Sequence, residues 1–213
     1  MVVELTLFFI SMLIAGAIGY LIMLLKSGEA PDRRMKGFFA LCVVVLAWVV
    51  INAVTMVVRQ DYFEAVYTVK MVFVCVIPCL TSWFALNFCE FKPASSKALH
   101  AVFIVIPALD IAALLTNPLH RLYFVSFGYL STENGPLFWL HLLVSVGVIF
   151  FAYSILLRYI IKNFRHYPLL VLTGIGSIVP LFLNIAYTFE FMGFRYDTTS
   201  IGFFFTLIAF AYF

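Results

Sequence analysis

Residues 65–89 read AVYTVKMVFVCVIPCLTSWFALNFC, an almost wholly apolar stretch with one charged side chain, Lys70. A helix needs roughly 20 apolar residues to cross the hydrocarbon core of a bilayer, so this stretch predicts a transmembrane helix. The whole chain agrees, because 65% of its 213 residues are hydrophobic and only 11% are charged. A soluble domain of this size cannot bury so much apolar surface. The sequence therefore excludes a soluble protein and predicts an integral membrane protein.

Six stretches are long and apolar enough to span a bilayer, and a shorter seventh ends the sequence. They are Leu5–Leu25, Gly37–Val58, Ala65–Cys89, Leu99–Leu115, Leu137–Leu157, Pro168–Tyr187 and Ile201–Phe213. The first lacks a basic start and a cleavage site, which favours a retained span over a signal peptide. The seventh is shorter than a bilayer at about 1.5 Å per residue. We therefore expect residues 1–213 to be a single seven-helix domain of a longer chain.

The charges between these spans predict the orientation of the bundle. Basic residues concentrate in the first, third and fifth loops. Acidic residues favour the other side, where the sequence places Glu4, Asp61, Glu64, Glu133, Glu190 and Asp197. The basic loops carry Lys26, Arg33, Arg34, Lys36, Lys92, Lys97, Arg158, Lys162 and Arg165, against only Arg59, Arg121 and Arg195 in the remaining loops. By the positive-inside rule, the N-terminus lies outside and the C-terminus lies in the cytoplasm. The predicted location is the plasma membrane, crossed several times.

One connection is long, whereas most of the others are short. Thr116–Pro136 contains an alternating YFVSFGYL stretch and then Asn134-Gly135, a combination that indicates a β-hairpin. An outer loop of this length in a compact bundle is often functional. We expect it to form a cap over the outer mouth of the bundle.

Polar residues inside the spans are the candidate site, because intramembrane ionisable groups are costly and commonly functional. The chain has three, Lys70, Asp110 and His141, each within the outer third of its span. Asn52 and Asn184 lie at a similar depth in two other spans. We predict an outward-facing polar chamber, with Lys70 and Asp110 as a compensating ion pair and His141 beside them. The alternative is a set of interhelical contacts that only fix the packing.

Several kinds of chemistry lack a signal in this sequence. There is no glycine-rich phosphate loop, no nucleophile–base pair at helical spacing, and no metal-ligand cluster along the chain. Cys75 and Cys79 stand one helical turn apart, but small packing residues are favoured over a metal or redox pair. Basic residues do not cluster with aromatic ones, so no nucleic-acid partner is expected. We predict neither an enzyme nor a cofactor in this region.

Several segments carry a family resemblance that covers nearly the whole chain. The segments are LAWVVINAV (46–54), LLTNPLHRLYF (114–124), GPLFWLHLLVSVGVIFFAYSILL (135–157), YPLLVLTGIGSIVPLFLNIAY (167–187) and DTTSIGFFFTLIAFAYF (197–213). With the seven-helix layout, the chain resembles the N-terminal sensor region of bacterial and archaeal histidine kinases and diguanylate cyclases. The resemblance implies a cytoplasmic output domain after the seventh helix. Asn117 and His120 match the family pattern at the exit of the fourth span, where they serve either a ligand or the loop structure.

The leading hypothesis is a membrane sensor that detects a small extracytoplasmic or membrane-soluble ligand and signals through the seventh helix. The candidate ligand-binding residues are Trp48, Asn52, Lys70, Asp110, His120, His141 and Asn184. Besides the ligand, the expected partners are the lipid bilayer and the output domain. A small-residue ridge at Ser11, Ala15 and Gly19 allows close contact within the bundle, which we favour, or across a homodimer.

Two other functions stay open from the sequence. The first is a small transporter or channel, which needs a polar path through the inner half of the membrane. There the sequence offers Ser82, Asn87, Thr173 and Ser177, without an ionisable partner. The second is a structural membrane anchor that binds no ligand.

Overall fold

The computed structural model describes residues 2–27, 33–128, 132–166, 170–191 and 196–212. Most of them are helical, and the apolar stretches of the sequence form the long helices. The elements are α1 (Val2–Ser27), α2 (Arg33–Thr55), α3 (Gln60–Phe88), a 3₁₀ turn (Lys92–Ser95), α4 (Lys97–Leu115), α5 (Asn117–His120), β1 (Phe124–Ser126), β2 (Glu133–Asn134), α6 (Pro136–Asn163), α7 (Leu170–Thr188) and α8 (Thr199–Ala211).

The predicted all-α membrane bundle is confirmed, with one helix for each of the seven predicted apolar stretches. Six helices of the described chain are long and apolar enough to cross a membrane, and α8 is a shorter apolar helix. Their ends differ from the predicted spans by a few residues, because polar residues extend the first and last helical turns. Pro168, the predicted start of the sixth span, lies outside the described residues.

The middle of the bundle is α3, which packs against α2, α4 and α6. The helix at the end of the chain, α8, packs against α7, α1 and α2. Aromatic rings fill the space between them: Trp48 of α2 meets Phe203 of α8 edge to face at 5.6 Å, and Phe84 of α3 meets Phe210 at 4.9 Å. The small-residue ridge of α1 contributes Ser11 and Ala15, both buried within this chain. Two of the three ridge residues therefore pack inside the bundle, whereas Gly19 is partly exposed and a Cβ atom there would meet nothing within 4 Å.

Two helices, α7 and α8, approach closely because glycines line their contact. A Cβ atom at Gly202 would lie 2.7 Å from the Cα atom of Pro180. The hydroxyl of Thr206 donates a hydrogen bond of 2.5 Å to the carbonyl of Gly176. Small residues permit this backbone approach, and a hydroxyl–carbonyl bond then joins the two helices.

The long connection after α4 forms the predicted hairpin, with Phe124 opposite Asn134 and Ser126 opposite Glu133. Residues 129–131, between the two strands in sequence, lie outside the described residues. The pair Asn134-Gly135 does not form the turn, contrary to the signal taken from the sequence. Asn134 belongs to β2, and Gly135 precedes α6 where a Cβ atom would lie 2.2 Å from the carbonyl oxygen of Leu122. The glycine is needed for this close backbone approach.

Candidate functional site

A buried ion pair connects α3 to the start of α8. The ammonium nitrogen of Lys70 lies 2.8 Å from a carboxylate oxygen of Asp197, and the two side chains are 5% and 6% exposed. The rings of Tyr67 and Tyr187 flank the ammonium, with centroids 5.4 Å and 5.6 Å away. Both charges therefore have an opposite partner, as a low-dielectric interior requires.

Asp197 uses its other polar atoms to hold two more helices. Its second carboxylate oxygen accepts a hydrogen bond of 3.1 Å from the backbone N–H of Thr199, at the start of α8. Its backbone carbonyl accepts one of 3.3 Å from the side-chain amide of Asn52 in α2. Burial alone would raise the pKa of Asp197, but the Lys70 ammonium and these hydrogen bonds to the carboxylate lower it below its ordinary value. The residue is thus an ionised junction between α2, α3 and α8.

A cavity of about 350 Å³ adjoins this junction. It is lined by the hairpin and by residues from α2, α3, α6, α7 and the segment before α8: Asn52, Thr55, Met56, Phe63, Tyr67, Lys70, Thr132, Asn134, Phe138, Tyr187, Thr188, Glu190, Tyr196 and Asp197. Aromatic rings supply much of this wall, and amide, hydroxyl and charged groups supply the rest. The side-chain oxygen of Asn52 is buried and, among the described residues, has no hydrogen-bond partner. Asn52 is therefore a residue of the cavity wall whose acceptor is unused among the described residues.

The predicted pairing of Lys70 with Asp110 is wrong. Lys70 pairs with Asp197, whereas Asp110 of α4 accepts from the Nδ1 atom of His141 in α6. The physical reason is that Asp197, just before α8, is buried beside α3 and neutralises the charge of Lys70. Asp110, on α4, faces α6 instead, where its hydrogen-bonding partner is His141.

Asp110 and His141 form a second polar cluster with two residues that the sequence did not single out as ligands. The hydroxyl of Tyr123 donates to Asp110 at 3.0 Å and lies 3.6 Å from the sulfur of Cys75. Cys75, His141 and Tyr123 are buried, and the Asp110 side chain is 15% exposed. One ligand atom of each of Cys75, Asp110 and His141 lies within 4.8 Å of the others.

Apart from Asp110, the residues of the predicted chamber line two separate spaces, and His141 belongs both to the second cluster and to one of them. Trp48, His141 and Asn184 line a smaller cleft of about 70 Å³, whose walls are mainly apolar. Asn52 and Lys70 line the larger cavity. The structure therefore divides the predicted chamber into two spaces at neighbouring positions in the bundle.

Asn117 and His120 organise the long loop. The side-chain oxygen of Asn117 accepts from the backbone N–H groups of Tyr123 and Phe124 at 2.9 Å and 3.0 Å, and its amide donates to the carbonyl of Phe124 at 3.0 Å. His120 accepts from the backbone N–H of Leu122 at 2.9 Å, and its other ring nitrogen lies 3.2 Å from the hydroxyl of Thr116. These contacts match the loop-structuring role that the sequence left open for both residues.

Sequence reasoning missed Asp197 as a site residue because it counted the residue among the charges of the outer face. A lone carboxylate immediately before an apolar helix was the available signal, since such a residue often bonds to the first turn of the helix. Tyr67 and Tyr187 carried no signal, because aromatic residues are common throughout this chain.

The comparisons with known proteins agree with the fold. A family model described as the N-terminal 7TM region of histidine kinase matches residues 7–213. Neither the comparison with curated proteins nor the comparison with solved structures finds a match.

Proposed function

The chain belongs to the family of N-terminal seven-transmembrane regions of histidine kinases, and from this premise we propose that its larger cavity binds a small polar ligand whose presence is signalled to a cytoplasmic output domain. One observation carries the proposal. A cavity of about 350 Å³ is lined by the buried ion pair and by Asn52, whose amide oxygen has no hydrogen-bond partner among the described residues. Its volume lies within the range of about 300–1,000 Å³ that is usual for small-molecule sites. Eleven of its fourteen lining residues carry a polar side-chain group, all except Met56, Phe63 and Phe138.

The lining indicates the class of ligand. Lys70 and Asp197 neutralise each other, so their role is to hold the cavity in shape. Asn52 is then the group that recognises the ligand, by accepting from a hydroxyl, amine or amide N–H. The rings of Phe63, Tyr67 and other aromatic residues would contact the apolar part of the molecule. A small molecule with one or two hydrogen-bond donors suits these walls, which also include the carboxylate of Glu190.

The route of the signal passes through Asp197. This residue bonds to α3 through Lys70, to α2 through Asn52 and to α8 through Thr199. A ligand that contacts Asn52 therefore weakens or strengthens the hydrogen bond from the Asn52 amide to the backbone carbonyl of Asp197, just before α8. Ligand binding would favour one of two positions of α8, provided that the ligand has different affinities for them. In the predicted orientation α8 leads to the cytoplasm, where the output domain carries the catalysis.

A sensor is supported over a transporter by the cleft beside the cavity. The cleft has about a fifth of the cavity's volume, and apolar side chains form most of its wall. A transporter of polar molecules would need polar groups along its whole path. Uptake into vesicles that contain the purified protein tests this alternative, and we expect no accumulation of the ligands found below.

The experiment that tests the proposal is a thermal-shift screen of the purified chain against small alcohols, amines and amides. We expect compounds that raise the melting temperature of the wild type and fail to do so with Asn52→Leu. Asn184→Leu is the matched control, because Asn184 is also an intramembrane asparagine but lines the smaller cleft. Active compounds are then added to a chimera with a histidine kinase domain, and autophosphorylation is measured. Stabilisation that is equal in wild type and Asn52→Leu would contradict the proposed site.

A further inference from the structure

The second polar cluster brings three different metal-ligating side chains together from three helices. Cys75 is contributed by α3, Asp110 by α4 and His141 by α6. One ligand atom of each lies within 4.8 Å of the other two. The cluster is separate from the larger cavity, whose lining includes none of the three.

The chemistry of this set suits a transition metal. A thiolate, an imidazole and a carboxylate are the ligands that Zn²⁺ commonly takes, and three protein ligands with one open position are typical of its non-structural sites. Ca²⁺ and Mg²⁺ prefer sites made of oxygen atoms alone. In a tetrahedral zinc site, neighbouring ligand atoms are about 3.5 Å apart, given bond lengths of about 2.0–2.3 Å. The three ligand atoms lie within 4.8 Å of one another, so the largest separation exceeds that spacing by at most about 1.3 Å. Asp110 and His141 are hydrogen-bonded and would move slightly apart to admit the ion.

Charge balance favours the same ion. We propose that Cys75, Asp110 and His141 bind one divalent transition-metal ion, with Zn²⁺ as the representative. Binding replaces the thiol proton of Cys75, which leaves to solvent, with a metal–sulfur bond. His141 binds through the ring nitrogen that carries no proton: either Nε2, or Nδ1 after its proton has moved to Nε2. The thiolate and the carboxylate of Asp110 then supply two negative charges to the dication, and neutral His141 adds none. The complex is electrically neutral, which suits a site with little water.

Tyr123 is a positioning residue for this site. Its buried hydroxyl donates to one oxygen of Asp110 and lies beside the sulfur of Cys75. Partners of this kind orient the ligands of metal sites and affect affinity. Asn117 holds the backbone of Tyr123 in turn, so the metal would join α3, α4 and α6 to the outer hairpin.

The test is metal binding by the purified chain, with any polyhistidine tag removed because such tags bind the same ions. After stripping with a chelator, the wild type should retain one Zn²⁺ per chain on dialysis. Its Co²⁺ form should show the near-ultraviolet charge-transfer absorption of a cobalt–thiolate bond. Cys75→Ser should abolish that absorption, and Asp110→Asn and His141→Gln should each weaken Zn²⁺ binding at least about tenfold. Tyr123→Phe should weaken it by about tenfold and keep the absorption.

Cys79→Ser is the matched control, because Cys79 is another buried thiol of α3, one helical turn further along. It should keep both the zinc and the cobalt absorption. Wild-type protein that retains no Zn²⁺ and shows no cobalt–thiolate absorption would overturn the proposal, whatever the variants do. Cobalt–thiolate absorption that persists in Cys75→Ser would overturn it as well. Neither result affects the ligand screen with Asn52→Leu. The metal site and the ligand cavity are therefore tested independently.

Discussion

The ammonium of Lys70 and the carboxylate of Asp197 lie 2.8 Å apart inside the bundle, so a charge in the third apolar stretch is balanced by one that immediately precedes the last. The pair joins parts of the chain that are far apart in sequence. Its partners and its burial lead to the first two predictions below.

Lys70→Met should destabilise the folded protein by about 3–5 kcal/mol, because it leaves the carboxylate of Asp197 buried without its cation. The double variant Lys70→Met with Asp197→Asn removes both charges and should recover much of that loss. Thermal unfolding in detergent measures both. Arg59→Gln is the control, since it breaks an ion pair with Asp61 whose side chains are 80% and 70% exposed. A double variant no more stable than Lys70→Met would contradict the pairing.

Acid should lower the stability of the folded protein by protonating Asp197. The pKa of this carboxyl is lower in the folded chain than its ordinary value. The ionised carboxylate therefore contributes fully to the free energy of unfolding when the pH is above the ordinary pKa of about 3.9. This contribution is lost as the pH falls through the lower pKa of the folded chain. The melting temperature should therefore fall more steeply with acid, below about pH 4, in the wild type than in Asp197→Asn. Parallel profiles of the two proteins would show that Asp197 does not contribute in this way.

Gly202→Ala should destabilise the contact between α7 and α8. The added methyl group would lie 2.7 Å from Cα and 2.8 Å from N of Pro180, and backbone atoms cannot rotate away as a side chain can. Overpacking of this kind costs about 1–3 kcal/mol, which thermal unfolding detects. Gly147→Ala is the control, since a Cβ atom there meets nothing within 4 Å. It should be neutral or slightly stabilising, as alanine favours a helix.

Asn117→Ala should loosen the outer hairpin. It removes three hydrogen bonds to the backbone of Tyr123 and Phe124, both buried, and unpaired buried groups cost about 1–3 kcal/mol each. Hydrogen exchange of the hairpin amides should become faster. Asn163→Ala, which removes a bond to the carbonyl of Tyr159 near the end of α6, is the control and should leave hairpin exchange unchanged.

The orientation predicted from the loop charges is tested by labelling intact cells with a membrane-impermeant maleimide. Gln60→Cys, at the exposed start of α3, should react from outside. Lys97→Cys, at the exposed start of α4, should react only after permeabilisation. Cys89→Ala serves as the background, because Cys89 is a partly exposed native thiol whereas Cys42, Cys75 and Cys79 are buried. The reverse labelling pattern would place the N-terminus in the cytoplasm.

The helices could be predicted because every span must be long and apolar enough to cross a bilayer. Both properties can be read from consecutive residues of the sequence. Side-chain partners could not, because they depend on how the helices rotate and on the path of the connections. Asp197 illustrates this: it reads as a charge of the membrane face, yet the segment that carries it turns inward to Lys70. Cys75, Asp110 and His141 lie on three separate helices, so no local spacing indicates their proximity.

The same distinction applies to the hairpin. The alternating residues 123–130 predicted its first strand, because alternation is a local property, but β2 lies outside that stretch. The position of Asn134 in β2 instead depends on where α6 begins and on how closely Gly135 approaches Leu122. Those are tertiary contacts.

The junction at Asp197 also limits which changes in chain length the protein can accept. Its carboxylate bonds to the N–H of Thr199 only two residues ahead, while the same group meets Lys70. One residue inserted between them would turn α8 by about 100° relative to α3, moving Gly202 and Thr206 away from α7. Insertions at this place should therefore be eliminated during the divergence of the protein.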